Sequence, residues 1–156
     1  MEDVMQNKFS ITSSDFETGG TIPVKYSYKA ENISPDVKWS GAPKGTKSFA
    51  LIMIDYDAEP VVGFPFVHWI VYDISAEVLH LVPGVKGFKF GMSNYDTDGY
   101  AGMNPPAGQN HAYYFHLYAL DIEKLEIEDK PSEDDLSRAM DGHILAKTSM
   151  YGNFEQ

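Results

Sequence analysis

Two carboxylates one residue apart, Asp55 and Asp57, follow the apolar run Ser48 to Ile54, and a histidine, His68, sits near the start of the next apolar stretch, "VHWIVYDI". A third polar group falls in "NPPAGQNHAYYFHLYALD", where His111 and Tyr113 stand two apart behind Asn104, Pro105 and Pro106. A carboxylate beside an imidazole fixes the ring's tautomer and favours its charged form. Imidazolium and phenol groups donate hydrogen bonds, so the set suits a phosphate or carboxylate held by two histidines whose orientation the acids maintain. The same groups could serve as acid and base in hydrolysis of a small ester or phosphoester. Each also has a plain structural role. Aspartates often accept backbone N–H bonds in a turn, and a lone histidine on a strand is usually a satisfied core residue.

These residues need strands to position them. Apolar alternation recurs in short runs between turn residues, which predicts a mostly antiparallel β protein. The predicted strands are Phe9 to Ser13, Lys25 to Tyr28, Val37 to Ser40, Ser48 to Asp55, Val67 to Ile74, Tyr113 to Leu120 and Ile144 to Tyr151. Ser48 to Ile54 is rich enough in apolar residues to be a central strand buried on both faces, stopping at Asp55 because a buried unpaired carboxylate is costly. Continued extension would put Asp55 and Asp57 on one side. Alternation places His68 with Ile70 and Tyr72, and pairing of neighbouring strands would bring His68 to Asp55 or Asp57. His116, with Tyr114 and Tyr118, falls on the opposite parity from His111 and reads as structural or exposed. The segment from Pro83 to Asn110 is a long, Gly- and Pro-rich loop of the kind that carries function. "PSEDDLSRAMDGH" reads as a capped helix over a strand-rich body.

Composition narrows the partners. The 156 residues suffice for one domain, 1–156, with one main core, and 43% are hydrophobic and 13% aromatic. The formal charge is -11, from 23 acids against 12 bases, with Arg138 the sole arginine, so no cluster invites nucleic acid or an anionic bilayer. An anion must be captured by a few placed donors working against the overall field. The absence of cysteine excludes disulfides, thiol nucleophiles and thiolate metal sites. "MEDVMQNKFS" has no signal-peptide pattern and no apolar run spans a bilayer, so no stable membrane insertion and a cytoplasmic location are expected. Spacings such as HExxH, GxSxG or GxxxxGK[ST] are missing, so hydrolytic zinc chemistry is weakly supported, a serine triad is unsupported, and no metal or other cofactor is expected.

The stretches "ENISPDVKWSGAPKGTKSFALIMIDYDAEP", "FVHWIVYDI", "NPPAGQNHAYYFHLYALD" and "GHILA", in that order, resemble the phosphatidylethanolamine-binding proteins, most of all their bacterial and archaeal Raf-kinase-inhibitor-like branch. The resemblance covers essentially the whole chain. It implies an antiparallel β-sandwich of a large and a small sheet with Greek-key elements and a short C-terminal helix. It also implies a small pocket for phosphate-like anions or phospholipid head groups, lined here by Asp55, Asp57, His68, Asn104, Pro105, Pro106, His111 and Tyr113. A regulatory role, inhibition of a protein kinase or protease through an unidentified partner, and a homodimer are further implications.

Three departures from the family pattern matter. A DPDAP-type turn reads Asp55-Tyr56-Asp57-Ala58-Glu59-Pro60, Asn104 precedes the double proline, and an HRY-type motif reads His111-Ala112-Tyr113. The expected function is binding of a small anion, stronger as the histidines protonate below about pH 6.5, with hydrolysis as the alternative.

Overall fold

Where the apolar run is most continuous, Ser48–Asp55, the chain forms the centre of a five-stranded sheet. The computed structural model describes residues 8–156, and the reading of the chain's first residues as free of a signal segment lies outside them. The strands are β1 (Ser10–Thr12), β2 (Val37–Ser40), β3 (Ser48–Asp55), β4 (Phe66–Ser75), β5 (His80–Leu81), β6 (Lys89–Phe90), β7 (Asn110–Leu120) and β8 (Ile144–Glu155). The small sheet has the order β1-β2-β5 and the large one β6-β4-β3-β7-β8. All pairings between these strands are antiparallel. β7 returns past β4 and β6 to lie beside β3, which is the Greek-key arrangement.

β3 is buried along its full length because both faces of the large sheet are covered. Phe49, Leu51 and Met53 pack toward the small sheet with Trp39, Leu81, Val71 and Phe115. Ala50, Ile52 and Ile54 face the other way, with Leu136 and Met140 of the helix Glu133–Met140. Each such aliphatic side chain contributes about 1.5–3 kcal/mol by leaving water. Ser132 caps that helix through a reciprocal bond set with Asp135, as the sequence predicts.

Two irregularities in β4 decide what reaches the site. Met53 pairs with Trp69 and Ile54 with Val67, leaving His68 as an extra residue, and a second shift lies between Phe49 and Leu51. A bulge resets the side-chain parity of a strand. Val67 therefore packs with Ile70 and Tyr72 under the helix, while the His68 ring lies against Tyr113 on the face of the main core, with centroids 5.2 Å apart. The sequence expectation that His68 shares a face with Ile70 and Tyr72 is thus overturned.

Other elements also depart from the sequence reading. Lys25 to Tyr28 is no strand: Tyr26 and Ser27 donate to Pro23 and Val24, closing a 3-10 turn over Val24–Tyr26. After Asp55 the chain does not stay extended but winds into a 3-10 turn, Tyr56–Ala58, and a short helix, Glu59–Val62. β5, β6 and that helix are too short to leave a periodic signal. No helix among the described residues is long and apolar enough to cross a membrane.

Candidate functional site

The apolar row Phe49, Leu51, Met53 of β3 ends in Asp55, and the row Phe115, Tyr113, His111 of β7 runs out beside it, with Asp55 and Tyr113 directly paired in register. The main core therefore ends in polar groups. Across from them the long loop is pinned to β4: Val67 donates to Asn94 Oδ1 at 2.6 Å, Asn94 donates back to the Val67 carbonyl, and Ala101 donates to that of His68. Gly102 makes this course feasible, because a Cβ there would lie 2.2 Å from the Tyr26 carbonyl oxygen.

Between these walls is a pocket of about 120 Å³, lined by Asp55, Ala58, Val61, Val62, Phe66, His68, Tyr95, Asn104, Pro105, Pro106, His111 and Tyr113. Its volume corresponds to roughly four waters at the density of the liquid, which suits a small acid or a head-group terminus. The wider cleft between Glu126, Glu128, Asp135 and Arg138 brings no buried polar residue to its walls.

The structure brings together every residue named for this site from the sequence except Asp57. The 3-10 turn swings Asp57 outward, where its carboxylate accepts the Ala112 N–H at 2.9 Å. Asp55 is the buried orienting acid, with a partner other than the one expected. Its Oδ2 lies 2.6 Å from His111 Nδ1, and its Oδ1 accepts the Asp57 N–H at 2.9 Å. His68 is held instead by a backbone carbonyl, with Nδ1 donating to Ala101 at 2.7 Å. Burial raises the Asp55 pKa, the bond from His111 opposing it.

The two pocket histidines thus differ in kind. His68 is pushed down to about 4 by burial, against the pull of the Ala101 and Gly102 backbone, so its ring is neutral near pH 7. Because a carbonyl only accepts, the proton sits on Nδ1 and Nε2 is an acceptor. His111 Nε2 lies 2.8 Å from Gln109 Oε1. With that amide orientation both His111 nitrogens meet oxygens and a doubly protonated ring donates to each, whereas a turned amide suits the neutral ring.

Two buried side-chain polar atoms among the described residues have no partner, Trp39 Nε1 and the Tyr113 hydroxyl. The second belongs to Tyr113, one of the residues that line the pocket. Its ionisation is held far above the ordinary phenol range by burial and then by the charge of Asp55, so it stays a donor. Asn104 is held on both sides: Nδ2 donates to Tyr95 Oη at 3.1 Å and Oδ1 accepts from Gln156 at 3.2 Å. Tyr95, stacked on Tyr28 and edge-on to Phe66, is a pocket residue that sequence reasoning missed. The hydrophobic wall from Ala58, Val61 and Val62 was missed as well, and Val61, Val62 and nearby Phe64 leave an exposed apolar rim.

A two-sheet sandwich ending in an acid, imidazole and phenol pocket defines the class of protein. The chain belongs to the phosphatidylethanolamine-binding protein family, whose model matches residues 12–155. It is 38% identical to a UPF0098 protein of Aquifex aeolicus over 94% of this chain and 88% of that protein. Among solved structures, it is similar to a phosphatidylethanolamine-binding protein homologue from Chlamydia trachomatis, with TM-score 0.89 and 36% identity over 96% of this chain and 99% of that one. Escherichia coli YbcL gives TM-score 0.87 and 28% identity over 95% and 98% of the respective chains.

Proposed function

We propose that this protein binds the acidic head of a small ligand, phosphate-like or carboxylate-like, in the pocket between Asp55, His68, His111 and Tyr113. The observation that carries the reading is Tyr113, a residue of the pocket wall whose buried hydroxyl has no hydrogen-bond partner in the protein. Beside it, His111 is locked by Asp55 and offers Nε2–H once Gln109, which is exposed, turns aside. The carboxylate fixes the ring through Nδ1, so the acid supports the donor. Val61, Val62, Phe66 and the prolines surround the head with apolar surface that excludes water and strengthens each hydrogen bond. The family's name describes binding of a phospholipid, a phosphodiester, and so supports phosphate chemistry without specifying how the phosphate is substituted.

The test is a titration of phosphate and phosphoethanolamine followed by the ring NMR signals of the histidines. Binding should shift His68 and His111 and leave His80, at the edge of the small sheet, unmoved. Saturating concentrations that move neither pocket histidine would contradict the reading.

A further inference from the structure

The pocket's polar atoms are not a simple set of anion donors. Tyr113 supplies an unpaired O–H, and His111 supplies Nε2–H on turning away from Gln109. His68, however, has committed its Nδ1–H to the Ala101 carbonyl, and Nε2 has no hydrogen bond among the described residues. That nitrogen is a lone pair on a pocket wall. The groups around it do not favour its protonation. They are Asp55 on β3, His111 and Tyr113 on β7, and Tyr95 and Asn104 on the loop, and the lining holds no lysine or arginine. The carboxylate that could have stabilised a charged His68 is spent on His111. Burial first, and then the neighbouring His111, lower the pKa of His68 and outweigh the Ala101 and Gly102 backbone, which raises it.

We infer that the pocket selects an acid that still carries a proton, such as a phosphomonoester monoanion, whose P–OH donates to His68 Nε2 while its other oxygens accept from Tyr113 and His111. This deepens the anion-binding reading and rests on it. A phosphodiester has the same single charge but no proton to give, and leaves Nε2 desolvated and unpaired. A monoester dianion also lacks the proton, and brings a second negative charge beside Asp55 in a chain of formal charge -11. The apolar lining, from Ala58, Val61, Val62, Phe66 and the two prolines, adds a preference for an alkyl or aryl substituent on the acid.

Phenyl phosphate and methyl phenyl phosphate separate these cases, because the aryl group is shared and the diester remains a monoanion throughout. Calorimetric affinities for both, measured from pH 5 to pH 8 on the whole protein, give a ratio in which titrations of the protein affecting both esters cancel. The expected ratio favours the monoester by about tenfold near pH 5, the effect of one unmet buried hydrogen bond. It should then fall by up to tenfold per pH unit above the monoester's second pKa near 6. The 15N ring shifts of His68 should show Nε2 unprotonated in the free protein at pH 7 and still unprotonated in the monoester complex. If both esters bind and the ratio stays near one, or rises with pH, the proton-bearing ligand is wrong while the anion site stands. If neither ester binds at any pH, the anion reading itself falls and the inference falls with it.

Discussion

On the face of β7 turned toward the helix, His116 has both ring nitrogens bonded, Nε2 to the Tyr56 hydroxyl at 2.8 Å and Nδ1 to Ser149 Oγ at 2.6 Å. On the opposite face of the same strand, Tyr113 has a hydroxyl bonded to nothing, and His68 beside it uses one nitrogen of two. Both regions are aromatic-rich and contain a buried histidine, and burial pushes His68 and His116 alike down to about 4. Residue type therefore does not separate structure from function here. Unmet hydrogen-bonding capacity beside a cavity does.

Removing Asp55 should have the largest effect, because it is the group the two regions do not share. Asp55→Ala strands the buried His111 Nδ1 and removes the acceptor of the Asp57 N–H, and should cost about 3 kcal/mol or more in urea unfolding. It should also abolish anion binding. A loss below about 1 kcal/mol would mean that Asp55 does not hold this end of the core together.

Acid should weaken both regions alike. An unfolded histidine titrates near 6.5, whereas His68 and His116 in the folded chain take protons only near 4. The unfolded chain therefore binds more protons between those values. The stability due to these two neutral rings is intact above about pH 6.5 and is lost as pH falls toward 4, by up to about 1.4 kcal/mol per pH unit for each. Asp55 works in the other direction at the acid end, since its raised pKa lets the folded form take that proton first. Urea midpoints at pH 7.5 and pH 5 measure the balance, and His116→Phe should flatten the decline by roughly half of the histidine part. A decline equally steep in that variant would remove His116 from the account.

A smaller effect sharpens the contrast. Tyr56→Phe deletes the partner of His116 without entering the pocket, so it should cost about 1 kcal/mol and leave ligand affinity within about twofold. A large loss of affinity would mean that the two faces are coupled through the turn at Tyr56.

Much of this architecture was legible in the chain. The run Ser48 to Ile54 announced a strand covered on both sides, and His116 was separated from His111 by parity alone. The pocket's polar members could be named because the pattern around them resembles a family whose motifs are spaced along most of the sequence. What resisted reading has physical causes. A bulge at His68 breaks the alternation that would have aimed it wrongly, and no local signal marks which residue becomes the extra one. The pairing of Asp55 with His111 joins residues 56 apart in sequence through the adjacency of β3 and β7. Tyr95 enters the pocket only because Asn94 and Ala101 pin the loop to β4, and those bonds are tertiary. The ties of the Asn104 amide to Tyr95 and Gln156 are tertiary in the same way.

The central claim, that the Tyr113 hydroxyl is kept unpaired for a ligand, is tested most directly by Tyr113→Phe measured for stability and binding together. Deleting an unpaired buried hydroxyl should leave urea stability unchanged or raise it by up to about 1 kcal/mol, while affinity for phosphate or phenyl phosphate falls about five- to tenfold. A variant that loses stability as an ordinary buried hydrogen-bond partner would, and binds the ligand as well as the parent does, would contradict the account.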